Sequence, residues 1–95
     1  MPAYVIADVT TTDQALMDEY RKLVPATVTK YGGRFVVRGG AHETFEGEWK
    51  PNRLVLIEFP SMDAAKKWYA SPEYKEPLAM RLKAGRSNVV FVEGV

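Results

Sequence analysis

The chain has no cysteine among its 95 residues. That removes disulfides, thiolate metal sites and cysteine nucleophiles, and it fits a reducing cytoplasm, the location expected here. Histidine is almost missing as well, with His42 standing alone. Ligand-type clusters at a workable spacing are absent, and neither a metal nor another cofactor is expected. Charge of one sign is lacking too: thirteen Lys and Arg face twelve Asp and Glu, a formal net charge of +1 with no long run of either sign. This argues against the basic field of a nucleic-acid or membrane-surface binder, and neither partner is expected. No apolar stretch approaches the roughly 20 residues that span a bilayer. Met1-Pro2-Ala3-Tyr4 lacks the basic start of a signal peptide. No repeat or linker divides residues 1–95, which read as one domain with room for a core.

What is present is a series of short apolar runs punctuated by glycine, proline and capping residues. Residues 4–9 are β-branched and aromatic and predict a first strand. Thr11 with Gln14 fits a capping box, and Thr12 or Asp13 serves equally as the cap. From residue 13 to 31 apolar side chains recur at helical spacing, at Leu16, Tyr20, Leu23, Val24, Val28 and Tyr31. Pro25 lacks a backbone donor and crowds the carbonyl of Arg21, so a kink or break is expected there. Gly32-Gly33 ends the helix. Residues 34–38 predict a second strand, followed by a bend at Gly39-Gly40, an irregular polar extension and a tight turn at Lys50-Pro51-Asn52. Residues 53–59 predict a third strand. Ser61 caps a second helix with Ala64, Ala65, Trp68 and Tyr69 buried. Ser71-Pro72 starts a third helix with Tyr74, Leu78 and Leu82 inward and Gly85 as its stop. Residues 88–93 close the chain as a strand, giving an α+β order of βαββαβ with an extra helix before the last strand.

The strand composition carries an implication about assembly. A sheet with one wet face alternates apolar and polar residues. Here residues 4–7, 35–37, 54–57 and 89–92 are unbroken apolar runs, so both faces want burial. Right-handed crossovers place both helical connections on one face. The other face stays bare unless a second copy packs against it, sheet to sheet, about a two-fold axis. A homodimer enclosing a shared interior is the expectation.

The residues also resemble a known family. Gly32-Gly33-Arg34-Phe35, Val37-Arg38-Gly39-Gly40, Glu46-Gly47, Glu58-Phe59-Pro60-Ser61, Ala65, Trp68-Tyr69, Ser71-Pro72-Glu73-Tyr74, Arg81 and Val92-Glu93-Gly94 are similar to the pattern of the DUF1330 family along essentially the whole chain. The resemblance implies a ferredoxin-like monomer, a four-stranded antiparallel sheet with helices on one face, that pairs through its sheet into a dimeric α/β barrel. It implies no established activity. Related dimeric α/β barrels include cofactor-independent monooxygenases, decarboxylases, isomerases and haem-handling proteins, which bear on this chain only as fold analogy.

Period-two parity sorts the strand charges. If Phe35, Val37, Val55, Ile57 and Phe59 face the helices, then Arg38 and Glu58 face the dimer interior, and Asp8 joins them. A carboxylate there has its pKa raised by desolvation and lowered by a nearby arginine, so Glu58 or Asp8 is a candidate acid/base and Arg38 a candidate anchor. The plainer reading is an interfacial Arg–Glu pair that sets dimer register. His42 is a candidate base at the rim, with haem ligation a weaker option. Trp49 is a candidate for the pocket mouth or dimer rim, and Arg81 a candidate contact to an anionic ligand. Trp68, Tyr69 and Tyr74 read as core. The functional expectation is a small anionic or carbonyl-bearing metabolite, bound or transformed between sheet and partner, with a non-catalytic homodimer as the alternative.

Overall fold

A computed structural model describes residues 1–95. Strand β1 (Ala3–Thr11) leads into helix α1 (Gln14–Lys30), then β2 (Arg34–Arg38), β3 (Leu54–Phe59), α2 (Met62–Tyr69), α3 (Pro72–Ala84) and β4 (Gly85–Glu93). The strands lie in the order β2-β3-β1-β4, every neighbouring pair antiparallel. Each crossover skips one strand, and the helices cover one face: this is the ferredoxin-like α+β arrangement. The molecule measures 35 × 33 × 17 Å. A thickness of 17 Å accommodates one sheet and one helical layer and nothing more.

Local signals account for most boundaries. Of the three cap candidates Asp13 takes the position, its Oδ1 accepting the Leu16 N–H at 3.1 Å. Ser61 and Ser71 cap α2 and α3 through bonds from Ala64 N–H and Tyr74 N–H. The break expected at Pro25 does not occur, and α1 runs through it. Proline removes the donor that the Arg21 carbonyl would otherwise receive. The Arg38 guanidinium supplies one instead, Nη2 lying 2.9 Å from that oxygen. On α3 the buried stripe is Tyr74, Pro77, Arg81 and Ala84, and Leu82, expected inside, is 62% exposed. The spacing of three and four from Tyr74 passes through Arg81, and Leu82 sits one position around the helix.

The core lies between Val5, Ile57 and Phe59 of the sheet and Val24, Val28, Ala65, Trp68 and Tyr74 of the helices. Trp68 is its centre, with ring centroids 4.2 Å from Tyr74 and 5.3 Å from Phe59. Its indole N–H donates to Thr27 Oγ1 at 3.0 Å, and that hydroxyl donates to the Val24 carbonyl at 2.7 Å. Burial of the indole thus leaves no polar atom unmet.

Glu73 ties the start of α3 to the end of α1, accepting from Lys30 Nζ and the Tyr31 hydroxyl. The Lys30 bond foremost, then Tyr31, pulls its carboxyl from the ordinary 4.5 to about 2. A carboxylate depressed in the folded state contributes stability above its unfolded pKa, and that contribution is lost as pH falls through the folded value. Urea midpoints taken from neutral pH down to about 2 therefore drop below about pH 4.5, and Glu73→Gln makes the decline shallower. Equal slopes for both proteins would remove Glu73 from this account.

Candidate functional site

The helix-facing side of the sheet and the three helices do not close completely. They leave a cavity of about 50 Å³, several times the ~10–15 Å³ that one water needs. Seventeen residues line it, thirteen of them hydrophobic, and the other four are all arginines: Arg21, Arg38, Arg53 and Arg81. No carboxylate lines it.

Each arginine arrives by a different route. Arg53 shares period-two parity with Val55 and Ile57 and so turns toward the helices. Arg21 follows Tyr20 on α1. Arg38 is brought there by a β-bulge. Pairing runs Arg34 to Glu58 and Phe35 to Ile57, then skips Val36, so that Val37 pairs with Leu56 and Arg38 with Val55. The extra residue reverses parity beyond it. Val37 therefore joins the bare face, and Arg38, expected in the dimer interior, stands on the helix side with its guanidinium 4.6 Å above the Phe35 ring. Arg38 and Glu58 lie on opposite faces and do not pair.

Arg21, Arg38 and Arg53 form the rim. Arg53 Nη2 reaches the Arg38 carbonyl at 3.5 Å. It lies over Gly39, whose φ of 75° and close approach to that guanidinium both suit glycine. Burial first, and the charges of Arg21 and Arg38 second, hold Arg53 below the ordinary arginine range. The nearest counter-charge is Asp18, 3.9 Å from Arg21 and on the same helix. Arg38 and Arg53 have no carboxylate partner and Arg21 has only this contact on its own helix, so three like charges crowd here in an arrangement that an incoming anion relieves.

The buried wall carries Arg81, 5% exposed, whose Nε donates to Tyr74 Oη at 3.3 Å. Tyr74 Oη lies 2.8 Å from Tyr20 Oη. Burial, reinforced by Tyr74, raises the Tyr20 phenol, so it stays protonated. Burial works against the charge of Arg81, and the phenolic oxygens of Tyr74 and Tyr20 outweigh it. Parity exposes Arg53 in the sequence, but Arg21, Tyr20 and Tyr74 carry no such mark beyond helical spacing.

The remaining sequence candidates lie elsewhere. Glu58 is on the bare face, accepting from Tyr4 Oη at 2.8 Å and Arg34 Nε at 2.8 Å. Those two bonds, Tyr4 first, keep its pKa below the usual range. Asp8, on the same face, accepts the Trp49 indole N–H at 3.0 Å and the Asn52 N–H at 3.0 Å. The Trp49 bond foremost holds Asp8 low. His42 bridges its own loop, Nε2 lying 2.8 Å from the Pro51 carbonyl and Nδ1 3.3 Å from that of Gly40. A carbonyl only accepts, so Nε2 carries the proton that meets Pro51. Asp8, Trp49 and His42 thus pin the 39–53 loop, and of the six candidates only Arg38 and Arg81 meet at the cavity. No group of three or more His, Asp or Glu side chains comes together in a geometry that holds a metal ion. No helix is long and apolar enough to cross a membrane.

Fold and cavity define a small ferredoxin-like protein. Its family follows from the match of residues 2–95 to the model of the Domain of unknown function DUF1330, and the chain belongs to the DUF1330 family. No curated protein matches it. Solved structures show the same fold at low identity. A protein of unknown function from Rhodopseudomonas palustris is 17% identical with a TM-score of 0.79, over 99% of this chain and 82% of that one. A dimeric ferredoxin-like protein of unknown function from Jannaschia sp. is 17% identical, TM-score 0.74, over 99% and 100% of the two chains. SnoaB, a cofactor-independent oxygenase from Streptomyces nogalater, is 12% identical, TM-score 0.69, over 99% and 93%.

Proposed function

We propose that this protein binds a small organic acid in the cavity between its own sheet and helices, the acid group held by the rim arginines and the apolar body by the aromatic wall. The observation that carries this reading is the cavity's polar lining, four arginines and no carboxylate. Arginine's planar fork matches a carboxylate, and the apolar lining raises the worth of each ionic bond. The site thus moves from between sheet and partner, where parity without a bulge put it, to the inside of each protomer. A cytoplasmic location, suggested by the lack of cysteine, goes with this reading.

Calorimetric titration with valerate tests this. Wild type binds, and Arg38→Ala and Arg53→Ala each weaken binding by about tenfold or more, as loss of a charge-assisted hydrogen bond does. Unchanged affinity in both variants, or no binding by wild type, would sink the acid site.

The second part of the reading is a homodimer through the bare face. Val90 and Val92 there are 58% and 43% exposed, and the register sets them beside Ile6 and Tyr4. Structural neighbours from Jannaschia sp. and Bacteroides fragilis are dimeric. Roughly 800 Å² per partner makes a standard interface, which a four-stranded face supplies. The Arg34–Glu58–Tyr4 cluster on that face suits the setting of register better than proton transfer. The loop pinned by Asp8 carries Phe45, 89% exposed, a further apolar side chain for a second copy to cover.

A further inference from the structure

The buried wall of the cavity has a hydrogen-bonding imbalance. Tyr20 and Tyr74 hold two hydroxyl protons between them, and one lies in the bond joining their oxygens. The contact from Arg81 Nε occupies an acceptor site on Tyr74, not a proton, because a guanidinium only donates. Whichever way the phenol pair is oriented, the second proton has no protein acceptor. The Nη groups of Arg81 make no protein hydrogen bond either. The Arg81 Nη nitrogens, lacking a partner, are not fully buried, and Tyr20, Tyr74 and Arg81 all line the cavity. Arg81 is also a buried cation with no carboxylate beside it in the cavity lining, its charge supported by the phenol oxygens of Tyr74 and Tyr20, and an electron-rich ligand group adds to that support. The wall therefore offers an unspent phenol proton, the Arg81 Nη donors and positive charge, and no carboxylate.

We propose that Tyr20, Tyr74 and Arg81 form a donor-rich subsite that receives a carbonyl oxygen of the ligand, at a distance from the acid group held by the rim. This rests on the acid site proposed above and narrows its ligand to an oxo acid. An apolar acid fills the cavity but leaves these donors unmet. An acid with a carbonyl at the right distance meets them, and preorganised donors of this kind favour any build-up of negative charge on that oxygen. The raised pKa of Tyr20 agrees, since a phenol that keeps its proton remains a donor.

The test compares valerate with its two oxo derivatives, α-ketovalerate and levulinate, by calorimetric titration. At least one oxo acid binds wild type about tenfold more tightly than valerate, the gain expected of a hydrogen bond in a desolvated site. The double variant Tyr20→Phe, Tyr74→Phe loses that preference, so that its affinities for the three acids become equal, and circular dichroism reports that it is folded. Should the double variant not fold, the wild-type comparison decides alone. Equal binding of all three acids by wild type overturns the donor subsite and leaves the acid site standing. Binding of none of them overturns both.

Discussion

Replacing Trp68 with alanine costs about 3–5 kcal/mol of folding stability, read as a shift of the urea or thermal midpoint by circular dichroism. The indole is 2% exposed and packs against Phe59, Tyr69 and Tyr74. Its removal opens a void beside an existing cavity and takes away the N–H bond to Thr27. For a chain of this length the loss lowers the midpoint by at least about 12 °C and consumes much of a total stability of about 5–15 kcal/mol. Trp68→Phe keeps a ring in place, and Thr27 stays satisfied through the Val24 carbonyl, so its cost is about 1–2 kcal/mol. A loss below about 1 kcal/mol for the alanine variant would mean that this cluster is not the centre of the core.

The second large effect is on assembly. Val90→Asp raises the dimer dissociation constant at least about a hundredfold, measured by sedimentation velocity, because a two-fold interface buries the new charge twice without a partner. The monomer itself loses only about 1 kcal/mol, since Val90 is already exposed and the change is mainly one of strand propensity. Separation of the two effects is what makes the variant informative. A variant that stays dimeric places the contact elsewhere, and a wild type that sediments as a monomer overturns the dimer. Monomeric Val90→Asp is expected to bind valerate as the wild type does under the proposed reading, because Ile6 and Val90 lie on the face opposite the cavity arginines.

Period and punctuation made most of the fold legible. Apolar runs marked the four strands, the serines before α2 and α3 marked their starts, and the absence of alternation pointed to a sheet with one face uncovered. The site was read less well, and one residue explains most of the difference. Parity counted along residues 34–38 assumes two residues per repeat without interruption, and the extra residue at Val36 has no glycine or proline to announce it. Everything after it changes sides, Arg38 included. Arg53 obeys parity and was open to discovery by the same count that assigned Val55 and Ile57.

The amino-acid pattern by itself determined the βαββαβ order with its extra helix, the serine caps of α2 and α3 and the apolar character of both sheet faces, because these depend on short-range spacing and on composition within single strands. Only the tertiary structure decided that Arg38 stands on the helix side, and that four arginines from α1, β2, the residue before β3 and α3 line one cavity that no carboxylate lines. Convergence depends on strand register and on one bulge, and pairing between strands distant in sequence is fixed by packing of the whole sheet rather than by any local run of residues.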